Sequence, residues 1–474
     1  MMTREIFYQI VNPAFYILFG YFLVLVAYYT LLIIVGLAEE RRRWRQNTVD
    51  DYSLLYFSSL TLPVSIIIPA RNEEDWIHDS VLSAINLNYP KFEIIVVDDG
   101  STDGTLEVLN KTLDLRAVET HYVKHFKDGK VQDILKSNKY PNVTVIAKTT
   151  GLKKAGAVNA GLNIAKYKYI CAIDADTLLE PDALLKIMAQ IEKDPENIIG
   201  MGSYFGLING FKIKDGRIVD HSFSYRPILA YQNLEYIRSF FGNRIAWSKF
   251  NATPNVAGGF GVWRRDILYE IGGYSADFTC EDIEITFRIH DYMTKKKDKK
   301  YKILTMPYYA GWTEGPGNIK SLVSQRDRWQ RVTNETVWAY KHMLFNPKYK
   351  WLGLFTMPYF LIYEVFGVFV EFTSLLFVGV GWALGVFSVN IFLAYFALML
   401  LSQALISAMS LFAFTRDQKV FRLKYIAYLL FLSIIEMFWY RWIISFAKLL
   451  GTIRSLLNQR AYDQYVREKR IKAL

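Results

Sequence analysis

Two kinds of hydrophobic pattern divide the 474 residues. Long uncharged runs stand at Ala14 to Ala38, 372–389 and 390–414, whereas residues 39–335 mix apolar and charged positions as a globular domain does. As a helix, the 25 residues from Ala14 to Ala38 would reach roughly 37 Å at about 1.5 Å per residue, more than the ~30 Å hydrocarbon core of a bilayer. The run is too long for a secretory signal peptide, its start is not strongly basic, and no small-residue cleavage site follows. Arg41, Arg42, Arg43 and Arg45 come next, which predicts that this end of the helix is cytosolic.

After Lys350 the chain turns apolar again. Trp351 to Leu384 is broken only by Glu364 and Glu371, and Asn390 to Phe414 carries no charge. Tyr425 to Phe446 holds Glu436 and Arg441, so it reads as partly buried or interfacial. Three spans, with an outward helix ending near Leu384 and Asn390 to Phe414 returning, leave Arg416, Lys419, Arg422 and Lys424 inside. A fourth full span would put Arg454, Arg460, Arg467, Lys469, Arg470 and Lys472 outside, against the positive-inside rule. Glu364 and Glu371 lie seven residues apart, nearly on one helix face, and either line a path through the membrane or, for Glu364, sit at the interface beside Pro358.

Within the globular stretch the period changes. Residues 64–69 (VSIIIP) and 93–98 (EIIVVD) are short β-branched runs ending in polar turn residues, with a predicted helix from Asp75 to Asn86 between them. Further strands are predicted at Val143 to Ala147 and Tyr169 to Ile173. Such alternation builds an α/β domain around a parallel sheet, with ligand sites at the carboxyl ends of the strands.

Composition supports a soluble domain joined to membrane helices: 52% of residues are hydrophobic and the mean hydropathy is +0.11. The net charge of +11 lacks any zinc-finger spacing, ribonucleoprotein motif or basic heptad, so it is assigned to the anionic membrane surface and not to nucleic acid. The two cysteines, Cys171 and Cys280, lie within the predicted cytosolic domain without metal-ligand spacing, and no structural disulfide is expected.

The polar residues at the strand ends carry the chemistry. Ala70, Glu73, Asp98 and Asp99 stand on two acidic loops facing one crevice, where Glu73 and Asp99 could accept from a base N–H and ribose hydroxyls. Asx turns and helix caps use the same residue types. Lys153-Lys154-Ala155-Gly156-Ala157-Val158-Asn159 follows, with small residues admitting close backbone approach and Lys154 able to meet a phosphate. Ile173-Asp174-Ala175-Asp176-Thr177 reads as a strand ending in two carboxylates on one side, Asp174 and Asp176, suited to Mg²⁺ or Mn²⁺ bridging a diphosphate. Gly258-Gly259-Phe260-Gly261 is expected to wall a sugar. Cys280-Glu281-Asp282 precedes a helix over Ile283 to Tyr292, with Asp282 the candidate base and an acidic helix start the plainer reading. Gln325, Arg328 and Trp329 fall at i, i+3 and i+4, which puts amide, guanidinium and indole on one helix face.

In this order, DDGS, KAGAVN, DAD, CED and QRDRW resemble the membrane-type inverting family 2 glycosyltransferases, similar to cellulose, hyaluronan and poly-N-acetylglucosamine synthases. The resemblance covers about residues 62–335 and the flanking helices. It implies a GT-A-like (Rossmann-like) mixed-sheet domain and transfer from a nucleotide-sugar donor, a UDP-sugar, to a glycan or lipid-linked acceptor. Asp176 would coordinate the metal with Asp174 beside it, Asp282 would be the general base beside Glu281, and Gln325, Arg328 and Trp329 would bind donor diphosphate and acceptor. Ala70, Glu73, Asp98, Asp99, Lys154 and Asn159 would complete the donor site, Gly259 and Phe260 the acceptor site. Two positions depart from the family pattern: Cys280 stands where threonine is usual, and Gln330-Arg331-Val332 follows QRDRW in place of a small residue and glycine.

The expected organisation is an N-terminal segment and first span (1–38), a basic juxtamembrane linker (39–61), a nucleotide-sugar-binding half (62–205), an acceptor half with the QxxRW interfacial helix (206–350), a C-terminal membrane region (351–450) and a basic cytosolic tail (451–474). The catalytic domain would face the cytosol of a multi-pass membrane protein. Elongation of a β-linked polysaccharide and single addition to a lipid both fit. With so few spans for one protomer, export of a polymer would draw on a homo-oligomer or a partner protein.

Overall fold

The computed structural model describes residues 2–47, 52–58, 61–149, 153–296, 300–383, 385, 389–417 and 421–457. Lys419 and the expected tail residues Arg460, Arg467, Lys469, Arg470 and Lys472 lie outside these, as do 48–51 and 59–60 of the expected linker.

In chain order, α1 (Met2–Asn47) and α2 (Tyr52–Phe57) lead into β1 (Val64–Ala70), α3 (Ile77–Ile85), β2 (Phe92–Asp98), α4 (Thr105–Leu113), β3 (Leu115–Ala117), β4 (Val131–Ser137) and β5 (Val143–Lys148). Next come α5 (Lys153–Ile164), β6 (Tyr169–Ala172), β7 (Leu178–Leu179), α6 (Ala183–Ile191), β8 (Ile198–Leu207), β9 (Lys212–Lys214), β10 (Arg217–Asp220) and α7 (Pro227–Ile237). A π-helical segment, Arg238–Arg244, connects α7 to α8 (Ile245–Lys249), followed by β11 (Gly261–Arg264), α9 (Arg265–Glu270), α10 (Glu281–Lys295), β12 (Lys302–Thr313) and α11 (Ile319–Ala339). The C-terminal part holds α12 (Met357–Tyr359) between two π-helical turns, then α13 (Gly367–Ala383), α14 (Val389–Asp417), α15 (Leu423–Ile435) and α16 (Tyr440–Leu456).

Ten strands form one mixed sheet in the order β3-β4-β5-β2-β1-β6-β11-β8-β12-β7. The four strands foreseen from their β-branched runs, β5, β2, β1 and β6, are its parallel centre. Every residue of β1 is buried, because both faces of the sheet are covered. Ile66 and Ile68 pack with Ile77 and Val81 of α3 and Leu184 of α6, whereas Ile67 and Ile95 face Val158 and Leu162 of α5 and Ile285 and Ile289 of α10. A Cβ on Gly161 would lie 2.6 Å from Ile67 Cγ2, so this small residue of α5 serves close helix-to-sheet packing.

A third body of apolar contact joins the sheet domain to the C-terminal helices. Tyr204, Tyr231, Leu234, Phe240 and Phe241 pack with Phe414, Tyr425, Leu429 and Tyr440. Three helices are long and apolar enough to cross a membrane: Tyr16–Arg42, Leu352–Ser374 and Phe396–Thr415. A further pair, Leu423–Phe438 and Tyr440–Leu456, is bent by 57° at its break and is either a broken span or a re-entrant loop. The second span begins and ends earlier than the uncharged run at 372–389, because the two carboxylates within it are paired. Glu364 accepts from Lys448 at 2.8 Å and Glu371 is bonded to Arg441 and Ser445, so both are held by α16.

Candidate active site

Two loops at the carboxyl ends of β1 and β2 clasp each other. Asn72 adopts a left-handed backbone (φ 57°), which asparagine tolerates, and its Oδ1 accepts from the Thr102 amide at 2.8 Å. Its own N–H donates to Ser101 Oγ at 3.0 Å, and the Glu73 amide donates to Thr105 Oγ1 at 2.8 Å. Ala70 ends β1, and its carbonyl accepts from the Asp99 amide. Asp98 is buried, accepts from the Ser101 hydroxyl, and has its pKa raised, chiefly by burial. One Asp99 oxygen is taken by Lys148 Nζ at 2.6 Å, with both side chains buried. The cap reading of these residues therefore holds in part: much of their polarity fixes the loops.

β6 stops at Ala172, and Asp174 to Asp176 lie in the turn before β7. The two carboxylates are thus not extended-strand neighbours, correcting that geometric expectation: the turn closes with Thr177 N–H donating to the Asp174 carbonyl at 3.1 Å. Asp174 is 2.6 Å from Lys154 Nζ, and the same ammonium lies 2.5 Å from Glu281 Oε1. Burial works against this charge, but Asp174 and Glu281 outweigh it and hold the lysine well above its usual range. One lysine therefore joins the DAD turn to the first turn of α10.

Glu281 and Asp282 are the first residues of α10, where unbonded amides favour negative charge. Asp282 Oδ2 accepts from the Gly258 amide at 3.2 Å, and Oδ1 from the Ile283 amide at 2.7 Å and the Cys280 thiol at 2.9 Å. Burial, then the neighbouring Asp282 and Glu281, push the Cys280 thiol up, so it remains a donor at neutral pH. Three donors orient the Asp282 carboxylate and favour its charged form. A Cβ at Gly258 would stand 2.9 Å from Lys154 Nζ and 3.6 Å from Asp282 Cβ, so the absent side chain here is what lets the three elements meet.

Other expected residues serve elsewhere. Asn159 is buried, its amide donating to the Lys127 and Tyr274 carbonyls while its Oδ1 accepts from the Tyr274 N–H, so it braces two loops. Phe260 does not wall a sugar: its side chain is 0% exposed and belongs to the core beneath the sheet. Gly259 faces the ring of Phe205, to which a Cβ would come within 3.0 Å.

On α11, capped by Asn318 accepting from the Ser321 amide, Gln325 and Arg328 are partly exposed and Trp329 is 39% exposed. The Trp329 ring is stacked near Tyr236, 6.3 Å between centroids, and carries the Arg326 guanidinium 4.2 Å above it. The opposite face was not foreseen. Arg326 pairs with Glu235 at 2.6 Å, and Asp327 accepts from Arg331 at 2.6 Å and Arg454 at 2.8 Å. Lys148 and Arg244 were also missed, since each meets its acidic neighbour only through the fold. Among the described residues no three His, Cys, Asp or Glu side chains gather as a cage for a metal ion. Two carboxylates suffice where substrate phosphates and water complete an octahedral site, and Asp174 and Asp176 fit that description.

The family profile of glycosyl transferase family 2 matches residues 65–272, and that of glycosyl transferase family group 2 matches residues 169–443, more than half of the chain. The chain is a family 2 glycosyltransferase. The enzyme is 25% identical over 274 residues to the poly-beta-1,6-N-acetyl-D-glucosamine synthase of Staphylococcus epidermidis, a match covering 58% of this chain and 55% of the synthase. The chain therefore spans about half the length of that relative. It is 27% identical to the probable glycosyltransferase YdaM of Bacillus subtilis over 392 residues, 80% of this chain and 78% of that one. Among solved structures, the mannosyltransferase PcManGT from Pyrobaculum calidifontis, in complex with GDP-Man and Mn²⁺, is similar in fold: TM-score 0.50, 16% identity, covering 92% of this chain and 99% of that chain. The expected GT-A-like mixed-sheet fold is thereby found, in a membrane protein with three candidate spans.

Proposed function

We propose that this glycosyltransferase elongates a β-linked polysaccharide by inverting transfer from a UDP-sugar at the cytosolic face of the membrane. The observation that carries the chemistry is the setting of Asp282, a carboxylate fixed by three donors beside the Lys154 bridge. Asp282 takes the proton of an acceptor hydroxyl as its oxygen attacks the anomeric carbon. The bond from that carbon to the diphosphate breaks, and the nucleoside diphosphate leaves with the electron pair. Attack opposite the leaving group inverts the anomeric centre. Asp174 and Asp176 would hold Mg²⁺ or Mn²⁺, which when bound neutralises charge on the diphosphate. Glu73 and the loop after β2 would receive the nucleoside, Arg328 the diphosphate, and Gln325 and Trp329 the acceptor sugar.

The identity to a poly-beta-1,6-N-acetyl-D-glucosamine synthase supports a polymer product. The cluster Arg41 to Arg43 following the first span supports a cytosolic catalytic domain. Single addition to a lipid-linked acceptor is the second reading, favoured by a membrane region of only three candidate spans. Purified enzyme in liposomes, given radiolabelled UDP-glucose, UDP-N-acetylglucosamine or other donors, separates the two. A ladder of products supports elongation, and one discrete glycolipid overturns it.

A further inference from the structure

The Arg238–Arg244 segment is π-helical, a rare geometry concentrated at functional sites. It is wedged between the membrane helices and the catalytic centre. A Cβ on Gly36 of α1 would come within 2.7 Å of the Phe241 carbonyl, and Trp247, just beyond the segment, donates to Tyr28 of α1 at 3.2 Å. The segment ends in Arg244.

Nearby arginines with little exposed surface each have an acid. Arg238 pairs with Glu436 at 2.8 Å, Arg326 with Glu235 at 2.6 Å and Arg331 with Asp327 at 2.6 Å. Arg244 is largely enclosed too, yet among the described residues no carboxylate forms an ion pair with it. The negative groups that act on it through space are Asp282, the proposed base, and Tyr236, whose ring is stacked near Trp329. Burial outweighs both and lowers its pKa, so the guanidinium sits in a place that disfavours its charge. An enclosed cation without a counter-ion, between a base and an aromatic platform, is completed by an anion from outside. The planar fork of arginine matches two oxygens of a phosphate.

We propose that Arg244 is an oxyanion-binding residue of the transfer site and grips a phosphate group of one substrate beside Asp282. This rests on the sugar-transfer reading above. The phosphate has two sources: the diphosphate of the donor, or the headgroup of a lipid acceptor arriving between α1 and the catalytic domain. In the second case the same residue would select phosphate-bearing lipids.

The test uses the full chain in detergent, as wild type, Arg244→Gln and Arg244→Lys, with thermal unfolding to verify folding. One arm measures affinity for UDP and GDP with Mn²⁺. The other measures binding of a short prenyl phosphate against its alcohol, and sugar transfer to each. A charge-assisted contact predicts a loss of about tenfold or more in Arg244→Gln, in nucleotide affinity for a donor contact or in preference for the prenyl phosphate for an acceptor contact. Arg244→Lys keeps the charge without the fork, recovers only part of that affinity, and carries the test if the glutamine variant fails to fold. Affinities within twofold of wild type in both arms overturn the proposal. So does a shifted acidic limb of the rate profile with unchanged affinities, which would mean that Arg244 acts only on the Asp282 charge. Binding needs no turnover, so a wild type that transfers no sugar would count against the transferase reading alone.

Discussion

Lys154 Nζ lies 2.5 Å from Glu281 while also reaching Asp174 at 2.6 Å, so a single ammonium fixes the spacing between the DAD turn and the helix that carries Asp282. In the proposed mechanism those two elements hold the leaving group and the base. Their spacing is therefore part of the chemistry, and the lysine that sets it is a positioning residue.

Lys154→Met leaves Asp174 and Glu281 facing each other without the cation between them. Loss of a charge-assisted contact predicts a fall in kcat of about 10–100-fold. Gly258→Ala separates position from charge: its Cβ would press on Lys154 Nζ at 2.9 Å, but that atom ends a flexible side chain. The variant is expected to unfold within a few degrees of wild type, yet lose kcat as Lys154→Met does. Normal kcat in Gly258→Ala would show that the bridge can shift without cost.

The catalytic helix is also held from the membrane side. A Cβ on Gly451 of α16 would stand 2.6 Å from the Asp327 carbonyl, backbone that cannot step aside. Gly451→Ala is expected to cost about 1–3 kcal/mol through overpacking, seen as a lower unfolding temperature in detergent. At Gly20 of α1 a Cβ would meet nothing within 4 Å, so Gly20→Ala should be neutral or slightly stabilising. Equal effects at the two positions would contradict the close approach of α16 and α11.

His290 is buried on α10, where its Nε2 must donate to the Thr253 carbonyl and its Nδ1 therefore accepts from Tyr301. Burial lowers its pKa from 6.5 to about 4. Between those values the unfolded chain binds a proton that the folded chain excludes, so stability is full above about pH 6.5 and is lost as pH falls toward 4. The difference amounts to about 3 kcal/mol. Unfolding in detergent at stepped pH measures it, and His290→Gln should flatten that part of the profile. The same slope in both proteins would contradict the assignment.

The parallel centre of the sheet was legible because its strands are buried on both faces and read as unbroken β-branched runs, as in VSIIIP. The hairpin of β3 and β4 was not, since β4 is half-exposed and reads as mixed polarity. Motif order led to Asp174, Lys154, Glu281 and Asp282, which the fold brings together. Phe260 looked available because sequence does not tell which way a side chain at a strand start points, and here it points into the core. The buried face of α11 was missed because its partners, Glu235 and Arg454, lie about a hundred residues away on either side. Arg244 gave no signal at all: it sits near Asp282 only once α7, the π-helical segment and α10 are packed.

The proposed chemistry turns on Asp282. Transfer of radiolabelled sugar by Asp282→Asn, with binding of the donor's nucleoside diphosphate measured on the same preparation, tests it most directly. A general base worth about 10²–10⁴-fold predicts near-complete loss of transfer with affinity preserved. Transfer at the wild-type rate in Asp282→Asn would contradict that role.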